Sequence, residues 1–401
     1  MHILMLSDQH AASAGGVQVS IRLQTRFLER AGHTVTVCAP RMHPSHPVDP
    51  HDVDTASLPI TLDREYSASL PGRRTDAALD RAMAARPPVD VVHVQADFWQ
   101  AVIGYRFAER HGIPVVHTFH NHVEFGIEQV VPAPRLAVRA MLWAQGLVLR
   151  PRLSALRPSA WSYLDEFARR ASELVAPSRH FAELLRTRGI GPDIEVIATG
   201  VDDDLIDEVR AAAASSSGER RRPVFLWMGR MSAEKRLMEF LEAVRLSGAD
   251  AEFRLYGAGL LLGKAEAFVA RHGLGDRVVF AGRVPYRDSL VALASADALV
   301  QTSIGFETQG MTVFEATVVG TRSIVSDPAI AGDLPEGAAW QPADGSVRAL
   351  ADTIAEVAGA LQSGTADSLS PGAGDSLLQS TQTARMIAVY ERAIRAHSRA
   401  A

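Results

Sequence analysis

Short apolar runs that end in glycine or small polar residues recur along the chain and alternate with helical patterns. The first run, residues 3–7, is followed by Gly15 and Gly16, a helical pattern and a second run at residues 34–39. Strand, glycine turn, helix and strand make a βαβ unit, and such units build parallel sheets. The two glycines would let the backbone approach a ligand closely at the end of the first strand. An ordinary tight connection would use the same residues.

The alternation of strands and helices continues through the whole chain and predicts two α/β domains. Further strand-like runs lie at residues 89–94, 114–120, 173–178, 194–198, 223–228, 253–257, 278–282, 298–302 and 322–326. Between the two series, residues 211–222 form a low-complexity Ala/Ser/Arg segment that predicts a linker. A chain of 401 residues is also longer than one ordinary core allows. We therefore expect an N-terminal Rossmann-like domain over residues 1–205 and a C-terminal one over residues 223–375.

Composition excludes several classes of protein. Charged residues make up 22% of the chain and hydrophobic ones 47%, as in folded soluble proteins. No apolar run approaches the ~20 residues that cross a bilayer, and residues 1–8 lack the basic start of a secretory signal. The single cysteine, Cys38, indicates a core residue in a reducing cytosol. Net charge is −5 without a strongly basic stripe, so we expect no nucleic-acid partner.

Residues 303–315 hold two glutamates, Glu307 and Glu315, eight positions apart. The pattern predicts a loop with Glu307, a bend at Gly310 and then a helix, whose free N–H groups and positive end favour an anion. Carboxylates on both sides of a phosphate site suit a nucleotide sugar. However, Thr312 and Glu315 also fit a capping box, in which Glu315 would satisfy only the helix itself.

Two cations, Arg230 and Lys235, lie between the strand at residues 223–228 and a helix that starts at Leu237. Cations in this position suit a diphosphate, which they neutralise and to which they donate hydrogen bonds. A solvated basic turn, partly offset by Glu234, is the alternative.

Three histidines, His117, His120 and His122, cluster around the end of the strand at residues 114–120. His117 and His120 are expected on opposite faces of the strand, and no cysteine is near, so we expect no metal site. His120 is a ligand-binding candidate, because α/β sheets bind ligands at the carboxyl ends of their strands.

Residues 129–164 contain five arginines and no acidic residue. Residues 135–150 predict a helix with basic and apolar sides, a type that binds the surface of anionic membranes. A core helix with arginines paired to distant acids is the alternative. The candidate membrane or acceptor contacts are Arg135, Arg139, Trp143, Arg150 and Arg152.

Taken together in this order, the motifs resemble those of the GT-B-fold retaining glycosyltransferases of family 4, along nearly the full chain. The motifs are Gly15-Gly16, Thr118-Phe-His120, Ala176-Pro-Ser178, Gly200-Val-Asp202, Gly229-Arg230 with Glu234-Lys235, and Glu307 with Glu315. The resemblance implies two Rossmann-like domains that face a central cleft. It also implies that a C-terminal helix, residues 376–401, returns to the N-terminal domain.

The resemblance also implies roles for single residues. The donor-binding residues would be Gly15, Gly16, Gly257, Arg283, Thr308, Gln309, Gly310, Met311, Thr312 and Glu315. The catalytic residues would be His120, Glu307, Arg230 and Lys235. Arg230 and Lys235 would stabilise the leaving diphosphate, and Glu307 would bind hydroxyls of the transferred sugar. Glu315 would hold the ribose, and His120 would contact the 6-hydroxyl of the sugar.

One departure from the usual motif of the family indicates which class of acceptor to expect. Thr308-Gln309 replaces the commoner Gly-Phe, and with His-Thr-Phe-His at residues 117–120 it looks most like bacterial diacylglycerol glycosyltransferases. The resemblance implies a retaining hexosyltransferase that needs no metal or other cofactor, with UDP-glucose favoured over GDP-mannose as donor. A lipid acceptor would bring a cytoplasmic enzyme to the inner face of the cell membrane. A soluble acceptor, or a non-catalytic sugar-nucleotide-binding protein, are the alternatives, and His122 and Glu124 have no assigned role.

Overall fold

The computed structural model describes residues 1–13, 15–43, 49–61, 64, 66–130, 133–149, 158–216 and 222–400. The chain divides into two compact units. The first unit contains Met1–Thr199 together with Gln379–Ala401, and the second contains Gly200–Leu378.

The first unit has a parallel sheet that, in the described residues, contains seven strands in the order β3-β2-β1-β6-β7-β8-β9. Its strands are β1 (His2–Ser7), β2 (Thr34–Pro40), β3 (Val53–Thr55), β6 (Val91–Gln95), β7 (Val115–Thr118), β8 (Glu173–Ala176) and β9 (Ile194–Val196). A separate antiparallel pair consists of β4 (Leu58–Pro59) and β5 (Ser67–Ala68). The helices are α1 (Gly16–Arg30), α2 (Arg73–Ala84), α3 (Trp99–His111), α4 (Val123–Val130), α5 (Pro134–Val148), α6 (Ala160–Ala168), α7 (Arg179–Thr187) and α15 (Gln379–Ala400).

Both faces of this sheet are covered, so its central strands β1, β6 and β7 are buried at every position and contain mostly apolar residues. In β1, Leu4 and Leu6 lie in one core, while Ile3 and Met5 lie in a second core on the opposite face. The C-terminal helix α15 contributes to that second core, in which Tyr390 is fully buried. The strand order reverses beside β1, so the loops after β1 and β6 lie where such sheets bind ligands.

The second unit has a parallel sheet with the order β12-β11-β10-β13-β14-β15. The strands are β10 (Val224–Met228), β11 (Glu252–Tyr256), β12 (Val278–Gly282), β13 (Ala298–Gln301), β14 (Ser323–Val325) and β15 (Ala339–Trp340). The helices are α8 (Asp203–Ser216), α9 (Leu237–Ser247), α10 (Leu262–Arg271), α11 (Tyr286–Ala294), α12 (Met311–Val319), α13 (Pro328–Ala331) and α14 (Val347–Ser363). Two short 3₁₀ turns cover Ala233–Lys235 and Asp375–Leu377. The strand order reverses between β10 and β13. The loops that follow these two strands, residues 229–236 and 302–310, therefore lie at the same edge of the sheet.

The division between the units differs from the expected boundaries at residues 205 and 223. Helix α8 belongs to the second unit, where Arg210 donates to the carbonyl of Val318 at 3.0 Å and Glu208 pairs with Arg287 at 2.6 Å. The expected linker at residues 211–222 is therefore wrong for residues 211–216. Alanine is the strongest helix former, so this alanine-rich stretch continues the helix. The rest of the expected linker, residues 217–221, lies outside the described residues.

Candidate active site

An ion pair between Lys235 and Glu307 lies at the reversal point of the second sheet. Ser303 Oγ donates a hydrogen bond of 2.9 Å to the same oxygen of Glu307. The ammonium group of Lys235 lies 5.5 Å from the centre of the Phe306 ring. The two side chains are only 22% and 14% exposed. The structure thus joins two predicted catalytic residues in a sheltered pair, which the sequence spacing alone did not indicate.

Two residues that the sequence analysis missed hold this pair in place. Thr302 Oγ1 donates to the backbone carbonyl of Lys235 at 2.6 Å and accepts from Trp227 Nε1 at 2.9 Å. Asp327 Oδ2 accepts from the backbone N–H of Gly305 at 2.7 Å, which anchors the loop of Glu307. Thr302 and Asp327 both follow the end of a buried parallel strand, which is the only signal in the sequence that could have indicated them.

The start of α12 is open, because no side chain caps it. The residue before the helix, Gly310, has φ 81°, a left-handed conformation that glycine adopts without strain. The N–H groups of Met311 and Thr312 are in the first turn and therefore have no acceptor within the helix. The capping-box alternative is wrong, because Thr312 is the second residue of the helix and does not precede it.

Glu315 is a buried carboxylate one turn into α12. Glu315 is only 6% exposed. No described residue forms a hydrogen bond or an ion pair with its carboxylate. Burial raises the pKa of Glu315 to about 7. A buried acceptor without a partner in the protein is suited to bind the hydroxyl groups of a ligand.

The remaining predicted donor residues of the second unit differ in exposure. Arg230 is 66% exposed in its side chain and lies 3.5 Å from Glu234. Arg283 is exposed directly after β12. Thr308 is half-buried and Gln309 is buried. Of the two predicted cations, Lys235 is the less exposed and pairs with Glu307.

Gly257 permits two loops of the second unit to approach each other. A Cβ atom added at this position would lie 1.9 Å from the carbonyl oxygen of Gly229, and φ is 130°. No other residue fits there without movement of the backbone. The glycine therefore shapes the loop that leads from Gly229 to Lys235.

In the first unit, the predicted ligand residues lie at the carboxyl ends of central strands. Helix α1 begins at Gly16, and Gly15 precedes it without a side-chain cap. His120 follows β7 and is half-buried, with Nε2 at 3.0 Å from Gln95 Oε1. Burial lowers the pKa of His120 to about 4, so the imidazole is neutral near pH 7.

Two aspartates missed by the sequence analysis organise this edge of the first sheet. The fully buried Asp97 accepts hydrogen bonds from the backbone N–H groups of His120 at 3.1 Å and Asn121 at 2.9 Å. Asp8 accepts from the backbone N–H groups of Asp97 at 2.7 Å and Phe98 at 2.9 Å. Burial and the nearby charge of Asp97 raise the pKa of Asp8 to about 7.

The other histidines of this region have structural contacts. His117 is fully buried, with Nδ1 at 2.9 Å from the hydroxyl of Tyr105. His122 Nδ1 accepts from the backbone N–H of Phe125 at 3.2 Å, at the start of α4. Across the described ranges, no group of three or more His, Cys, Asp or Glu side chains is arranged to hold a metal ion.

Glu124, the second residue without an assigned role, lies one residue into α4. Its carboxylate is 3.7 Å from the guanidinium of Arg188, the residue that follows α7. The guanidinium of Arg188 in turn lies 5.1 Å from the centre of the Trp161 ring. These contacts indicate a structural link between α4 and its neighbours.

Helix α5 contains the described part of the predicted basic and apolar segment. Its inner side packs on the core through Val138, Met141 and Leu142. On its outer side, large apolar residues are 65–69% exposed; they are Leu136, Trp143 and Leu147. Arg135 and Arg139 are also exposed and have no ion-pair partner among the described residues.

The other two predicted membrane contacts, Arg150 and Arg152, lie outside the described residues. No described helix is both long and apolar enough to span a bilayer.

Comparison with known families agrees with this arrangement. The model of the family described as Glycosyltransferase Family 4 matches residues 14–205. The model described as Glycosyl transferases group 1 matches residues 210–357. Together the two models span most of the chain, including all strands of the second sheet and every strand of the first except β1.

Similar proteins include enzymes that act on different acceptors. The chain is 24% identical to alpha-monoglucosyldiacylglycerol synthase of Streptococcus pneumoniae, over 81% of this chain and 70% of that protein. It is 28% identical to 2-deoxystreptamine glucosyltransferase of Streptomyces kanamyceticus, over 59% of each chain.

Solved structures with the same fold cover nearly the whole chain. Sucrose-phosphate synthase of Thermosynechococcus elongatus superimposes with a TM-score of 0.73 at 18% identity, over 99% of this chain and 100% of that one. HepE of Anabaena, solved in complex with UDP, superimposes with a TM-score of 0.67 at 15% identity, over 98% and 100%. These neighbours have the GT-B fold. The chain therefore belongs to the glycosyltransferases of family 4 and is a glycosyl transfer enzyme with the GT-B fold.

Proposed function

We propose that the protein transfers a hexose from a nucleotide sugar to a lipid such as diacylglycerol, with retention of the anomeric configuration. The main support for a transfer reaction is the group formed by Lys235, Glu307 and the uncapped start of α12. Glu315 is buried one turn further along this helix. A cation and free N–H groups suit the diphosphate, and the two carboxylates suit sugar hydroxyls on either side of it.

A UDP-sugar is the donor that we favour. HepE of Anabaena was solved in complexes with UDP and with UDP-glucose, and the fold of this chain is similar. In our proposal, Glu315 accepts hydrogen bonds from the ribose hydroxyls and Glu307 from hydroxyls of the hexose. His120 contacts the 6-hydroxyl of the hexose.

The proposed reaction exchanges one bond at the anomeric carbon. The bond from this carbon to the diphosphate oxygen breaks, and a bond to the acceptor oxygen forms on the same face of the sugar. The proton of the acceptor hydroxyl passes to the departing phosphate. Lys235 and the start of α12 stabilise the charge that develops on the leaving group. We therefore propose that no metal is required, because protein cations and N–H groups supply this stabilisation.

The lipid acceptor is supported by the outer side of α5. Three large apolar side chains with two exposed arginines beside them, Arg135 and Arg139, match helices that lie in the interface of anionic membranes. Each arginine near such a surface adds ~1 kcal/mol to binding. We propose that α5 attaches the enzyme peripherally to the inner face of the cell membrane.

The transfer reaction is tested with Glu307→Ala. We expect this variant to lose at least a hundredfold in kcat/KM with any donor that the wild type accepts, because the transferred sugar loses its main contact. Its melting temperature should stay near that of the wild type. The control is Glu242→Gln, which removes a carboxylate from a surface ion pair with Arg245. Normal turnover by Glu307→Ala would refute the proposed site.

The proposed attachment to the membrane is tested separately with vesicles. Wild-type protein should sediment with vesicles that contain phosphatidylglycerol, and less so at high salt. Arg135→Glu/Arg139→Glu should abolish this binding. Arg395→Glu/Arg399→Glu is a matched control, since these arginines are also exposed and four residues apart on a helix of the first unit. Wild-type protein that ignores anionic vesicles would refute peripheral attachment.

A soluble acceptor is the second candidate, because relatives named for 2-deoxystreptamine match at 28% identity. Incubation with radiolabelled UDP-glucose and either extracted lipid or aminocyclitols separates the two candidates. Label in the lipid fraction is expected. Label only in the aqueous product would replace the lipid proposal with the soluble one.

A further inference from the structure

The side chain of Gln95, at the end of β6, is buried beside the ring of His120. Its Oε1 atom lies 3.0 Å from His120 Nε2. A glutamine amide can either donate or accept, so the contact alone does not say which atom carries the hydrogen.

The orientation of the Gln95 amide follows from its other two contacts. Gln95 Nε2 donates to Gln24 Oε1 and lies 3.0 Å from Met5 Sδ. A thioether sulfur accepts hydrogen bonds and cannot donate them, so the amide nitrogen belongs on this side. The amide oxygen therefore faces His120, and His120 Nε2 must carry the hydrogen of that bond.

The ring of His120 carries a single proton at neutral pH. Burial lowers its pKa to about 4; the charge of Asp97 partly offsets this effect, and His117 adds to it. His93 also interacts with it electrostatically. A neutral imidazole has one N–H and one acceptor nitrogen, so a proton on Nε2 leaves Nδ1 as the acceptor.

The backbone of the same residue is held independently of the ring. Asp97 Oδ2 accepts from the backbone N–H of His120 and from both the backbone and side-chain N–H groups of Asn121, at 2.7–3.1 Å. Hydrogen bonds to a carboxylate are stronger than neutral ones. Backbone position and ring orientation are thus fixed by different side chains.

We propose that Gln95 is a positioning residue that fixes His120 as the tautomer with hydrogen on Nε2 and an acceptor at Nδ1. The consequence for catalysis rests on the proposed function, in which His120 contacts the transferred sugar. An acceptor nitrogen binds a hydroxyl, which donates, but not a carboxylate. The donor sugar is therefore a hexose rather than a hexuronic acid.

The tautomer is measured on the protein without substrate, by long-range ¹H–¹⁵N spectra of histidine-labelled full chain. At pH 7 we expect His120 with a protonated Nε2 and an unprotonated Nδ1. Gln95→Leu should give a mixture of both tautomers. Gln95→Glu has nearly the same shape, and its carboxylate should raise the pKa of His120, so that protonation begins at a higher pH. The opposite tautomer in the wild type, or unchanged spectra in both variants, would overturn the proposal.

Kinetics test whether Gln95 acts through His120. Gln95→Leu should lower kcat/KM about tenfold, the effect of one lost hydrogen bond. Gln100→Leu is the matched control, a buried glutamine of the same unit that donates to Thr55 at 2.7 Å. In a His120→Ala background, Gln95→Leu should cause no further loss. Equal losses in both backgrounds would mean a merely structural role and would overturn the proposal.

Donor preference provides a readout that stability does not affect. Wild-type enzyme should prefer UDP-glucose to UDP-glucuronic acid. In Gln95→Glu, Nδ1 of His120 should also carry hydrogen at mildly acidic pH, so the ratio of kcat/KM for the two donors should be closer to one. Equal use of both donors by the wild type would contradict the inferred hexose. If the spectra agree but His120→Ala is fully active, the contact of His120 with the sugar is wrong while the positioning by Gln95 stands.

Discussion

Glu315 is buried and has no hydrogen-bond or ion-pair partner among the described residues. Its ionisation therefore makes the stability of the folded protein depend on pH. Its pKa is about 7 in the folded protein and 4.5 in a model peptide, so the folded state binds more protons than the unfolded state between these values. Stability is therefore lost as pH rises through this window, by up to about 3 kcal/mol above pH 7.

The variant Glu315→Gln removes this ionisation. We expect its melting temperature to exceed that of the wild type at pH 8 and to match it more closely at pH 5, as measured by calorimetry. Binding of the nucleotide sugar should weaken tens-fold, because a charge-assisted hydrogen bond is lost. Glu242→Gln is the control, since this surface glutamate should show no gain at pH 8. A lower melting temperature of Glu315→Gln at pH 8 would mean that the carboxylate stabilises its own helix.

The residue scale also shows what the sequence can predict about a site. Lys235, Glu307 and Glu315 follow from residue type and position after a strand, because loops after parallel strands meet at one edge. The pairing of Lys235 with Glu307 does not follow, since 72 residues separate them and only the strand order brings them together. Gln95 and Asp97 were missed for the same reason: their partners follow a neighbouring strand.

At the scale of elements, the buried parallel strands were predicted well because they are continuous apolar runs. The strands β3, β4, β5 and β15 were missed, since they contain only two or three residues and lack a recognisable pattern. The expected basic helix at residues 135–150 ends at Val148 in the structure. Which of its sides faces the core was not predictable, because both sides contain apolar residues.

Gly257 gives a prediction about loops. Gly257→Ala would place Cβ 1.9 Å from the carbonyl oxygen of Gly229, so the loop that carries Lys235 must move. We expect a lower melting temperature and at least a tenfold weaker affinity for the donor, measured by calorimetry, because a small displacement of a positioned group is costly. Gly263→Ala is the matched control. That glycine lies in α10 with nothing within 4 Å of the added atom, so alanine should stabilise by about 0.5–1 kcal/mol. Similar effects of both substitutions would contradict the prediction.

At the scale of the whole molecule, the chain does not divide at a single point. The last helix, α15, follows the second unit in sequence but packs in the core of the first. Periodicity predicts this helix, but its place in the first unit was expected only from the resemblance to family 4. The sequence of α15 alone contains no information about which sheet covers its apolar side.

Tyr390 tests how α15 stabilises the first unit. Its buried hydroxyl lies 2.7 Å from His93 Nδ1, and His93 Nε2 lies 2.8 Å from Thr118 Oγ1. Burial lowers the pKa of His93 well below its usual value, so the ring is neutral and its two nitrogens need one donor and one acceptor. Tyr390→Phe leaves a buried nitrogen without a partner, which costs about 1–3 kcal/mol.

We expect this loss to appear in the first unit although the substitution lies near the end of the chain. Hydrogen exchange followed by mass spectrometry should show faster exchange in β6 and β7 of Tyr390→Phe, with β10 and β13 unchanged. Arg395→Gln, on the exposed side of the same helix, should leave both sets of strands unchanged. Faster exchange in the second unit alone would mean that α15 does not stabilise the sheet on which it packs.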